Sequence, residues 1–428
     1  MSLTTAPRGT YDLMPNEALA WQWMEMIIRE VFISYGYGEI RTPIFEHTEL
    51  FLRGIGETTD IVEKEMYTFI DKGGRSISLR PEGTAPVVRA YIEHKLHGQG
   101  GTTKLFYLGP MFRQERPQAG RFRQFHQFGV ELLGEEAPLA DAEVILLAHD
   151  LYQKLGLTEL EIYLNSVGCQ HCRQKYKEAL ISCLWDSSAE LCSTCQLRLE
   201  RNPLRLLDCK NASCQKITSQ LPSIHDYLCQ ACQDHFSQVI GFLDQVKVKY
   251  EITPRLVRGL DYYSRTVFEV VNTELGAQNA ICGGGRYDGL VEECGGPAVP
   301  GVGFASGMER LFTTLEQRNK LPIFSRAPQI YIISLSDQFA LIAFELTASL
   351  RRNGFKVELG FSSKSLKTQL KSANKSGAQL ALIIGEDEWK DHQVTVKNMS
   401  DGSQTRVEWQ ELIEQISELI TPQGVINE

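Results

Sequence analysis

The chain has 428 residues, of which 43% are apolar and 23% charged. This length is too great for a single hydrophobic core, and the composition is that of an ordered globular protein, so we expect two or three domains. The 44 basic and 53 acidic residues give a net charge of −9, which excludes a uniformly basic nucleic-acid-binding surface but permits a local basic patch.

The N-terminal sequence lacks the pattern of a secretion signal. MSLTTAPRGTYDLMP has no basic segment followed by an apolar one, and no apolar run in the chain approaches the length of a membrane span. These features predict a soluble, cytoplasmic protein without a membrane partner. In that compartment the 11 cysteines are expected to be thiols or metal ligands rather than disulfides.

The first predicted element is a long helix. We expect Asn16 to cap it and Gly36 to end it near Tyr35, with a buried stripe formed by Leu19, Trp23, Met26 or Ile27, and Val31. A strand is predicted from Gly38 to Phe45. It contains Pro43, which cannot donate to a sheet ladder, so this strand should lie at an edge or where a partner subunit meets it.

A hairpin is predicted between Lys104 and Glu131, with its turn at 116–120. Alternate residues of the returning strand share one face and include Arg123, Phe125, Gln127 and Glu131. A guanidinium, a ring, an amide and a carboxylate suit a ligand that carries phosphate, a base and polar ends. A solvated hairpin face is the alternative. Because Glu131 stands among apolar residues, its carboxylate needs a partner, which favours a ligand pocket.

Further short apolar runs at 266–272 and 300–307 extend this pattern to an antiparallel sheet flanked by helices. We expect an α+β catalytic core over residues 1–325, interrupted by a helical, cysteine-rich insertion at 165–245. Strand and helix patterns then alternate over 328–428, which predicts a C-terminal α/β domain.

Several other segments carry polar chemistry. In Arg80-Pro81-Glu82-Gly83-Thr84, the Glu82 carboxylate and the Thr84 hydroxyl can accept from an ammonium group, and an ordinary turn is the alternative. The chain has no GxxxxGK[ST] phosphate loop. A nucleotide would therefore be bound by arginines, whose planar forks match phosphate oxygens, and the candidates are Arg113, Arg258 and Arg310.

Five stretches together resemble a known family. Phe112 to Glu115 resembles the second signature of class II aminoacyl-tRNA synthetases, Gly301 to Leu311 resembles the third, and the strand with Pro43 resembles the first, which builds the dimer in that family. Leu256 to Tyr263 and Gly283 to Tyr287 resemble two motifs peculiar to histidyl-tRNA synthetases, here of the bacterial type. The similarity runs in order over essentially the whole chain.

The resemblance implies an enzyme that activates L-histidine with ATP and Mg²⁺, releases pyrophosphate, and transfers histidine to the 3′ end of tRNA(His). It also implies a homodimer and an anticodon-binding role for residues 328–428. The alternative is the synthetase-like regulatory subunit of histidine biosynthesis, which lacks the C-terminal domain and the Arg258-type motif.

The resemblance also implies roles for individual residues. Histidine would contact Glu82, Gly83, Thr84, Arg113, Gln127, Glu131, Arg258, Tyr262 and Tyr263. Within this set, Glu82, Thr84 and Gln127 would hold the α-amino group, and Glu131 with both tyrosines would bind the imidazole. ATP would contact Arg113, Glu115, Phe125 and Arg310. Arg258 and Arg113 would be catalytic, through contacts with the α-phosphate.

The insertion contains eight cysteines, in three CxxC pairs and one Cx₄C pair: Cys169 with Cys172, Cys192 with Cys195, Cys229 with Cys232, and Cys209 with Cys214. Paired CxxC motifs indicate structural Zn²⁺, and the alternative is that these cysteines pack as small apolar residues. The insertion contains none of the site residues named above, so we expect it to be separable from histidine activation and to serve the charging of tRNA.

In the last domain, Lys364, Lys367, Lys371 and Lys375 recur at helical spacing. They would contact phosphates of the tRNA, whereas a solvated lysine face is the alternative.

Overall fold

The computed structural model describes residues 4–56, 59–116, 121–185, 187–272, 280–361 and 365–420. The chain divides into two compact units, Met1–Leu321 and Pro322–Glu428. Within the described ranges, we find no helix that combines the length and hydrophobicity needed to cross a lipid bilayer. Residues 117–120 of the predicted hairpin turn, and Lys364 of the predicted lysine face, lie outside the described residues.

The first unit is built on an eight-stranded sheet with the order β1-β5-β6-β11-β10-β9-β7-β8. Its strands are β1 (Gly38–Glu39), β5 (Thr103–Phe112), β6 (Gln124–Leu133), β7 (Glu161–Ser166), β8 (Glu251–Ile252), β9 (Ser264–Val271), β10 (Ala280–Arg286) and β11 (Gly301–Gly307). The central strands pair antiparallel, and the edge pairs β1 with β5 and β7 with β8 are parallel. The predicted α+β fold class is confirmed.

A smaller sheet of β2 (Phe45–His47), β4 (Ser76–Leu79) and β3 (Thr68–Ile70) precedes the hairpin. The predicted strand from Gly38 to Phe45 is therefore wrong, because the chain forms two short strands that flank Pro43. The missing N–H of this proline interrupts the ladder, and β1 lies at the edge of the large sheet, as the proline predicts.

Helices cover both faces of the large sheet. One face packs against α1 (Pro15–Ser34), α4 (Pro138–Lys154), α8 (Gln230–Gln245) and α10 (Met308–Gln317) in the main hydrophobic core. On the other face, α3 (Thr84–Glu93) and α9 (Leu290–Glu293) form a smaller core, and α2 (Thr48–Ile55) packs beside α3. This second face is only partly covered, which leaves room for a cavity above the central strands.

The first helix differs from its prediction in start and orientation. It begins at Pro15, whose fixed φ suits the first helical position, so Asn16 does not cap it. Its buried residues are Ala20, Trp21, Met24, Ile28, Val31 and Phe32, and only Val31 belongs to the predicted stripe. Apolar residues lie on every side of this helix, so helical periodicity alone did not identify its buried face.

The strand β10 is not among the strands predicted from the sequence, and its three consecutive glycines are unusual inside a strand. Here the glycines lie between neighbours that approach closely. A Cβ atom on Gly284 would lie 2.3 Å from the carbonyl oxygen of Gly303. Glycine is therefore required by the close contact between β10 and β11.

The insertion follows β7 and is mainly helical. It contains α5 (Gln170–Leu184), α6 (Ser193–Arg201), a 3₁₀ segment Pro203–Asp208 and α7 (Ala212–Thr218), and it ends at α8. A separate hydrophobic cluster stabilises it, in which Tyr176, Leu180 and Leu206 pack with cysteines. Phe236, Val239 and Leu243 of α8 belong instead to the main core.

The second unit has a five-stranded sheet in the order β13-β12-β14-β15-β16. Its strands are β12 (Ile330–Ser334), β13 (Val357–Leu359), β14 (Leu380–Ile384), β15 (Gln393–Asn398) and β16 (Gln404–Glu408), and its helices are α11 (Ala340–Arg352), α12 (Leu366–Ser376), α13 (Glu386–Lys390) and α14 (Leu412–Leu419). The predicted alternation of strand and helix is present, followed by the antiparallel pair β15 and β16 and by the helix α14.

A fully buried ion pair connects the sheet to its helices. The Arg286 guanidinium at the end of β10 lies 2.6 Å from the Asp141 carboxylate on α4, and both side chains are inaccessible to solvent. Arg286 also donates to the carbonyl oxygens of Glu135 and Ala137. Asp288, which is partly exposed, also contacts Arg286 at 3.1 Å. These contacts satisfy most donors of the guanidinium, and removal of the Asp141 carboxylate would leave the Arg286 charge without a fully buried counter-ion.

We predict that Asp141→Asn lowers the free energy of unfolding by about 3–5 kcal/mol, because the Arg286 charge then lacks a buried counter-ion. Chemical denaturation measures this change. Glu49→Gln is the control, since the pair of Glu49 with Arg53 is exposed and should contribute less than about 1 kcal/mol. Equal effects of the two substitutions would contradict the structural role of the buried pair.

Candidate active site

A cavity of about 420 Å³ lies on the partly covered face of the large sheet. Its lining includes every predicted site residue except Gly83: Glu82, Thr84, Arg113, Glu115, Phe125, Gln127, Glu131, Arg258, Tyr262, Tyr263 and Arg310. Strands β5, β6, β9, β10 and β11 are neighbours in this sheet, so segments far apart in sequence meet here. Arg123 precedes β6 and instead donates toward the carbonyl oxygens of Arg8 and Glu115.

Glu131 is the buried carboxyl group at the centre of the sheet. One of its oxygens accepts from the Thr84 hydroxyl at 2.7 Å, and the other accepts from the Tyr287 hydroxyl. Burial raises the pKa of Glu131 to about 8, with the nearby Glu82 acting in the same direction, although both hydrogen bonds oppose the shift. The group is therefore mainly protonated near neutral pH and ionises just above it.

Glu82 has a second role beside the cavity. Its carboxylate oxygens accept from the backbone N–H groups of Thr84 and Ala85, both at 2.7 Å, and so cap the start of α3. Burial raises the pKa of Glu82, while these two backbone donors act against the rise. The turn alternative and the ligand-binding hypothesis are thus compatible at this position, because each carboxylate oxygen can accept more than one hydrogen bond.

Gly83 lies next to the cavity but does not line it. A Cβ atom at this position would lie 2.2 Å from the ring of Tyr107. The packing of that buried ring is enough to explain the glycine, and no contact with a ligand is needed to explain it.

Gln127 presents an unsatisfied group to the cavity. Its Oε1 atom is buried and has no hydrogen-bond partner among the described residues. A buried acceptor of this kind costs free energy unless a ligand or water donates to it. This position therefore suits a ligand with an N–H group, such as an ammonium.

A basic side chain and an aromatic side chain lie close together in another part of the cavity. The Arg113 guanidinium carbon lies 5.2 Å from the centroid of the Phe125 ring, and Arg113 Nε donates to the Pro81 carbonyl at 2.9 Å. Glu115 accepts from Arg121 at 2.7 Å. A planar base could stack on this ring, while the guanidinium presents its remaining N–H groups to phosphate oxygens.

Arg258, in the segment before β9, and Arg310, on α10, contact the neighbouring strands β9 and β10. Arg258 donates to the Glu269 carboxylate on β9, and Arg310 donates to the Ala280 carbonyl on β10. Burial acts to lower the pKa of Arg258, but the Glu269 charge outweighs it and raises the pKa. Burial lowers the pKa of Arg310, and Arg121 acts in the same direction. The arrangement concentrates cations where an anionic ligand would bind.

The family-model comparison matches residues 9–311 to histidyl-tRNA synthetase and residues 329–419 to an anticodon binding domain. The histidine–tRNA ligase of Caldanaerobacter subterraneus subsp. tengcongensis is 51% identical over 418 residues, 98% of this chain and 99% of that protein. That of Desulforamulus reducens is 53% identical over 411 residues, 96% and 98% of the two chains. The crystal structure of apo S. aureus histidyl-tRNA synthetase has a TM-score of 0.82 at 40% identity, covering 97% of this chain and 100% of that one.

The chain belongs to the histidyl-tRNA synthetase family. The family predicted from the sequence motifs is confirmed, and the chain is an enzyme of the aminoacyl-tRNA synthetase class of ligases. A regulatory subunit is not favoured, because these relatives are ligases that match the chain over nearly its full length.

Two residues of this synthetase that were not predicted from the sequence also line or support the cavity. Tyr287 lines the cavity and donates to Glu131. Glu309, on α10, accepts from the backbone N–H of His126 at 2.9 and 3.0 Å and so joins α10 to β6. Both residues lie within motifs that the sequence had singled out, but composition and spacing gave no sign of their partners.

The insertion contains none of the residues predicted to bind histidine or ATP, but it contributes to the lining of the cavity. Arg198, Arg205 and Asp208 of the insertion line the same cavity. The first two contact Asp60 of the catalytic core, at 3.0 and 3.2 Å. A helical segment with its own core reads as an independent module in sequence, and only the tertiary contacts reveal that it completes the cavity.

The eight insertion cysteines form two clusters of four. Cys169, Cys172, Cys229 and Cys232 make the first cluster, and Cys192, Cys195, Cys209 and Cys214 make the second. Within each cluster the sulfur atoms lie within 4.8 Å of one another. Each cluster therefore has the number and spacing of ligands that one metal ion requires.

We predict that Glu131→Gln changes the pH dependence of stability. In the folded protein Glu131 keeps its proton up to a pKa of about 8, whereas an unfolded carboxyl loses it near 4.5. The folded state thus binds more protons between these values, so this group's contribution to stability falls by about 1.4 kcal/mol per pH unit across that window and then levels off.

Stability of the wild type relative to Glu131→Gln should therefore decrease from pH 5 to pH 8. Denaturant unfolding in the absence of ligand at several pH values measures this difference. A difference that stays constant with pH would mean that Glu131 is ionised throughout.

Proposed function

We propose that this protein activates L-histidine with ATP to form histidyl-adenylate and pyrophosphate, and then transfers histidine to the 3′ end of tRNA(His). One observation carries the proposal. The same cavity is lined by the buried carboxyl group of Glu131 and by the arginines Arg113, Arg258 and Arg310. One set of groups suits an amino acid with a polar ring, and the other suits a nucleotide.

The amino acid would be recognised through hydrogen bonds to its polar groups. Glu82, Thr84 and the unsatisfied Oε1 of Gln127 would accept from the α-ammonium group. Glu131, Tyr262 and Tyr263 would bind the imidazole, and Tyr287 would hold the Glu131 carboxyl in place. An apolar amino acid of similar size would leave these buried groups unpaired, which provides the basis for rejecting it.

ATP would bind against the aromatic and basic residues. Phe125 would stack on the adenine, Glu115 would accept from its amino group, and Arg310 would contact the base and the terminal phosphate. Arg113 would join the α-phosphate to the histidine carboxylate. Gly83 would act through the turn between Glu82 and Thr84, since its own position is filled by the Tyr107 ring.

The first step needs no strong general base. A carboxylate oxygen of histidine attacks the α-phosphorus, the bond from that phosphorus to the bridging oxygen breaks, and pyrophosphate leaves with the electron pair. Alignment of the reactants and neutralisation of charge then control the rate. Arg258 and Arg113 would stabilise the charge that develops on the α-phosphoryl oxygens.

Mg²⁺ would accompany ATP and help to neutralise its phosphates. Among the described residues, only cysteines form clusters of three or more potential metal ligands, so the acidic groups of the cavity do not form a Mg²⁺ site by themselves. This donor set fits an ion that is held mainly by phosphate oxygens and water, with one or two carboxylates such as Glu115.

We assign the catalytic domain to residues 1–325, with the insertion at 165–245, and the anticodon-binding domain to residues 328–428. In the last domain, Lys367, Lys371 and Lys375 are exposed on α12. These lysines would contact tRNA phosphates, and such contacts add affinity without sequence discrimination. The anticodon bases would be bound by other residues.

A homodimer is supported by apolar residues around the first class II motif. Ile44 and Phe45 near Pro43, and Phe69 and Ile70 on β3, are all exposed in the single chain. Large apolar side chains clustered at a surface favour a protein–protein contact. A second copy of the chain would cover them.

We assign one structural Zn²⁺ ion to each cysteine cluster. The Cys169 and Cys172 sulfurs are 3.6 Å apart, and those of Cys192 and Cys209 are 4.0 Å apart. Tetrahedral Zn²⁺ with bonds of about 2.3 Å would place its sulfur ligands at nearly this separation. Backbone N–H groups of Cys229 and Cys192 donate to cluster sulfurs, as thiolates require. Metal analysis should find two zinc ions per chain, and a folded protein with none would refute this assignment.

The direct test of the proposed function is histidine-dependent exchange of labelled pyrophosphate into ATP, with each of the standard amino acids supplied in turn. Histidine alone should support exchange, and tRNA(His) should then accept the activated histidine. Absence of exchange with histidine from a folded sample would refute the proposal.

We predict that Arg258→Ala lowers the rate of adenylate formation by about a hundredfold or more, with smaller changes in the Michaelis constants, because the guanidinium binds the transition state more tightly than the substrates. Arg258→Lys should restore little, since an ammonium lacks the planar fork.

Gly283→Ala is the matched variant, because its new Cβ atom would lie 2.0 Å from Arg258 Nη2 and displace that group without removing it. Both Arg258→Ala and Gly283→Ala should depress the rate and leave the fold intact. Near-normal exchange by Arg258→Ala would remove Arg258 from the catalytic role.

A further inference from the structure

The backbone that carries Arg258 is held by side chains from the insertion. Arg205 Nη1 donates to the Gly259 carbonyl at 3.0 Å. Arg173 donates to the carbonyl oxygens of Asp261 and Tyr263 at 3.2 and 2.8 Å, and Asn202 donates to the Asp261 side chain at 2.8 Å. The segment 258–263 thus depends on the insertion for its position.

A second set of contacts leads toward Arg113. Arg198 and Arg205 both bind one Asp60 oxygen, at 3.0 and 3.2 Å. Asp60 immediately precedes the helical turn Ile61–Glu65, whose last carbonyl accepts from the backbone N–H of Gln114 at 2.6 Å. Gln114 lies between Arg113 and Glu115. The insertion therefore reaches both predicted catalytic arginines, through Gly259 and through Asp60.

The two arginines that make these contacts lie between ligands of one cysteine cluster. Cys195 and Arg198 are both on α6, and Arg205 is on the 3₁₀ segment that ends directly before Cys209. In the second cluster, Cys195, Cys209 and Cys214 are buried. A metal ion bound there would join the two ends of the stretch 195–209 and fix the separation of Arg198 and Arg205.

We propose that the second cysteine cluster is a metal site that supports histidine activation, with Arg205 as the positioning residue that transmits its effect to Arg258 and Asp60. Arg205 is only 8% exposed, and its two Nη atoms contact separate acceptors. Both contacts are made within the protein, to Gly259 and Asp60. Arg205 therefore acts through the orientation of the groups that bind substrate. This inference rests on the proposed function and on the proposed zinc sites.

The first test is pyrophosphate exchange by Arg205→Ala and Arg205→Lys. We expect Arg205→Ala to keep two zinc ions per chain and to lower kcat by about ten- to hundredfold, because small displacements of catalytic groups affect the chemical step. The Michaelis constant for histidine should change much less. Lysine should restore only part of the rate, since one ammonium does not reproduce the fork. Lys175→Ala, at an exposed position on α5, is the control for loss of a positive charge.

The second test removes the metal ligand. Cys209→Ser should lower the zinc content from two ions to one and reproduce the kcat defect of Arg205→Ala, whereas Cys183→Ser, at an exposed cysteine outside both clusters, should change neither. Backbone amide hydrogen exchange over residues 256–263 should become faster in both Cys209→Ser and Arg205→Ala. This measurement needs no substrate and reports directly on the position of the segment.

A folded Arg205→Ala protein with wild-type kcat would overturn the inference, and so would a Cys209→Ser protein that loses one zinc ion but keeps wild-type exchange and amide protection. If Cys209→Ser does not fold, the Arg205 variants decide the outcome. Absence of histidine-dependent exchange in the wild type would instead refute the proposed function, so the two failures are distinguishable.

Discussion

The site depends on the close approach of ionisable side chains to the backbone of the central sheet. A Cβ atom on Gly303 would lie 2.2 Å from a Glu131 oxygen, and one on Gly283 would lie 2.0 Å from the Arg258 guanidinium. Both ionisable groups therefore occupy space that any other residue at these two positions would fill. The missing side chains allow an acidic and a basic group to lie over the same sheet, where a bound substrate can contact both.

Burial of these groups gives the two parts of the cavity opposite electrostatic character. Around Glu131, desolvation raises carboxyl pKa values, so the empty site holds a proton near neutral pH. On the other side, Arg113, Arg258 and Arg310 bring guanidinium groups to the cavity, and Arg258 is paired with Glu269. A polar pocket around Glu131 beside a cationic region suits an amino acid and a triphosphate that bind together. The insertion adds Arg198 and Arg205 to the cationic lining.

The fold class and the family could be predicted from the sequence, because long motifs and the alternation of apolar residues are local signals. The side-chain alternation that puts Phe125, Gln127 and Glu131 on one face of β6 is fixed by strand geometry. The buried face of α1 could not be predicted, since apolar residues surround that helix. The strand β10 was missed because its glycines are explained only by the neighbouring strand.

The contribution of the insertion could not be predicted for a different reason. The pairing of Arg198 and Arg205 with Asp60 joins residues about 140 positions apart in the chain, and no periodicity or spacing encodes such a contact. The cysteine pattern predicted metal ligands, but not which CxxC pairs combine. The structure joins the first pair with the last and the second with Cys209 and Cys214.

The central claim is that Glu131 recognises histidine as a carboxylate. Calorimetric titration of histidine into the wild type and into Glu131→Gln, at several pH values from 6 to 9, tests it most directly, because the ionisations of histidine itself cancel in the ratio of the two affinities. The ratio should favour the wild type increasingly up to about pH 8 and then level off, reaching roughly ten- to hundredfold, as expected for a charged hydrogen bond of about 1.5–3 kcal/mol. Affinity for ATP should be the same in both proteins. Equal histidine affinities at every pH would show that Glu131 does not bind the substrate.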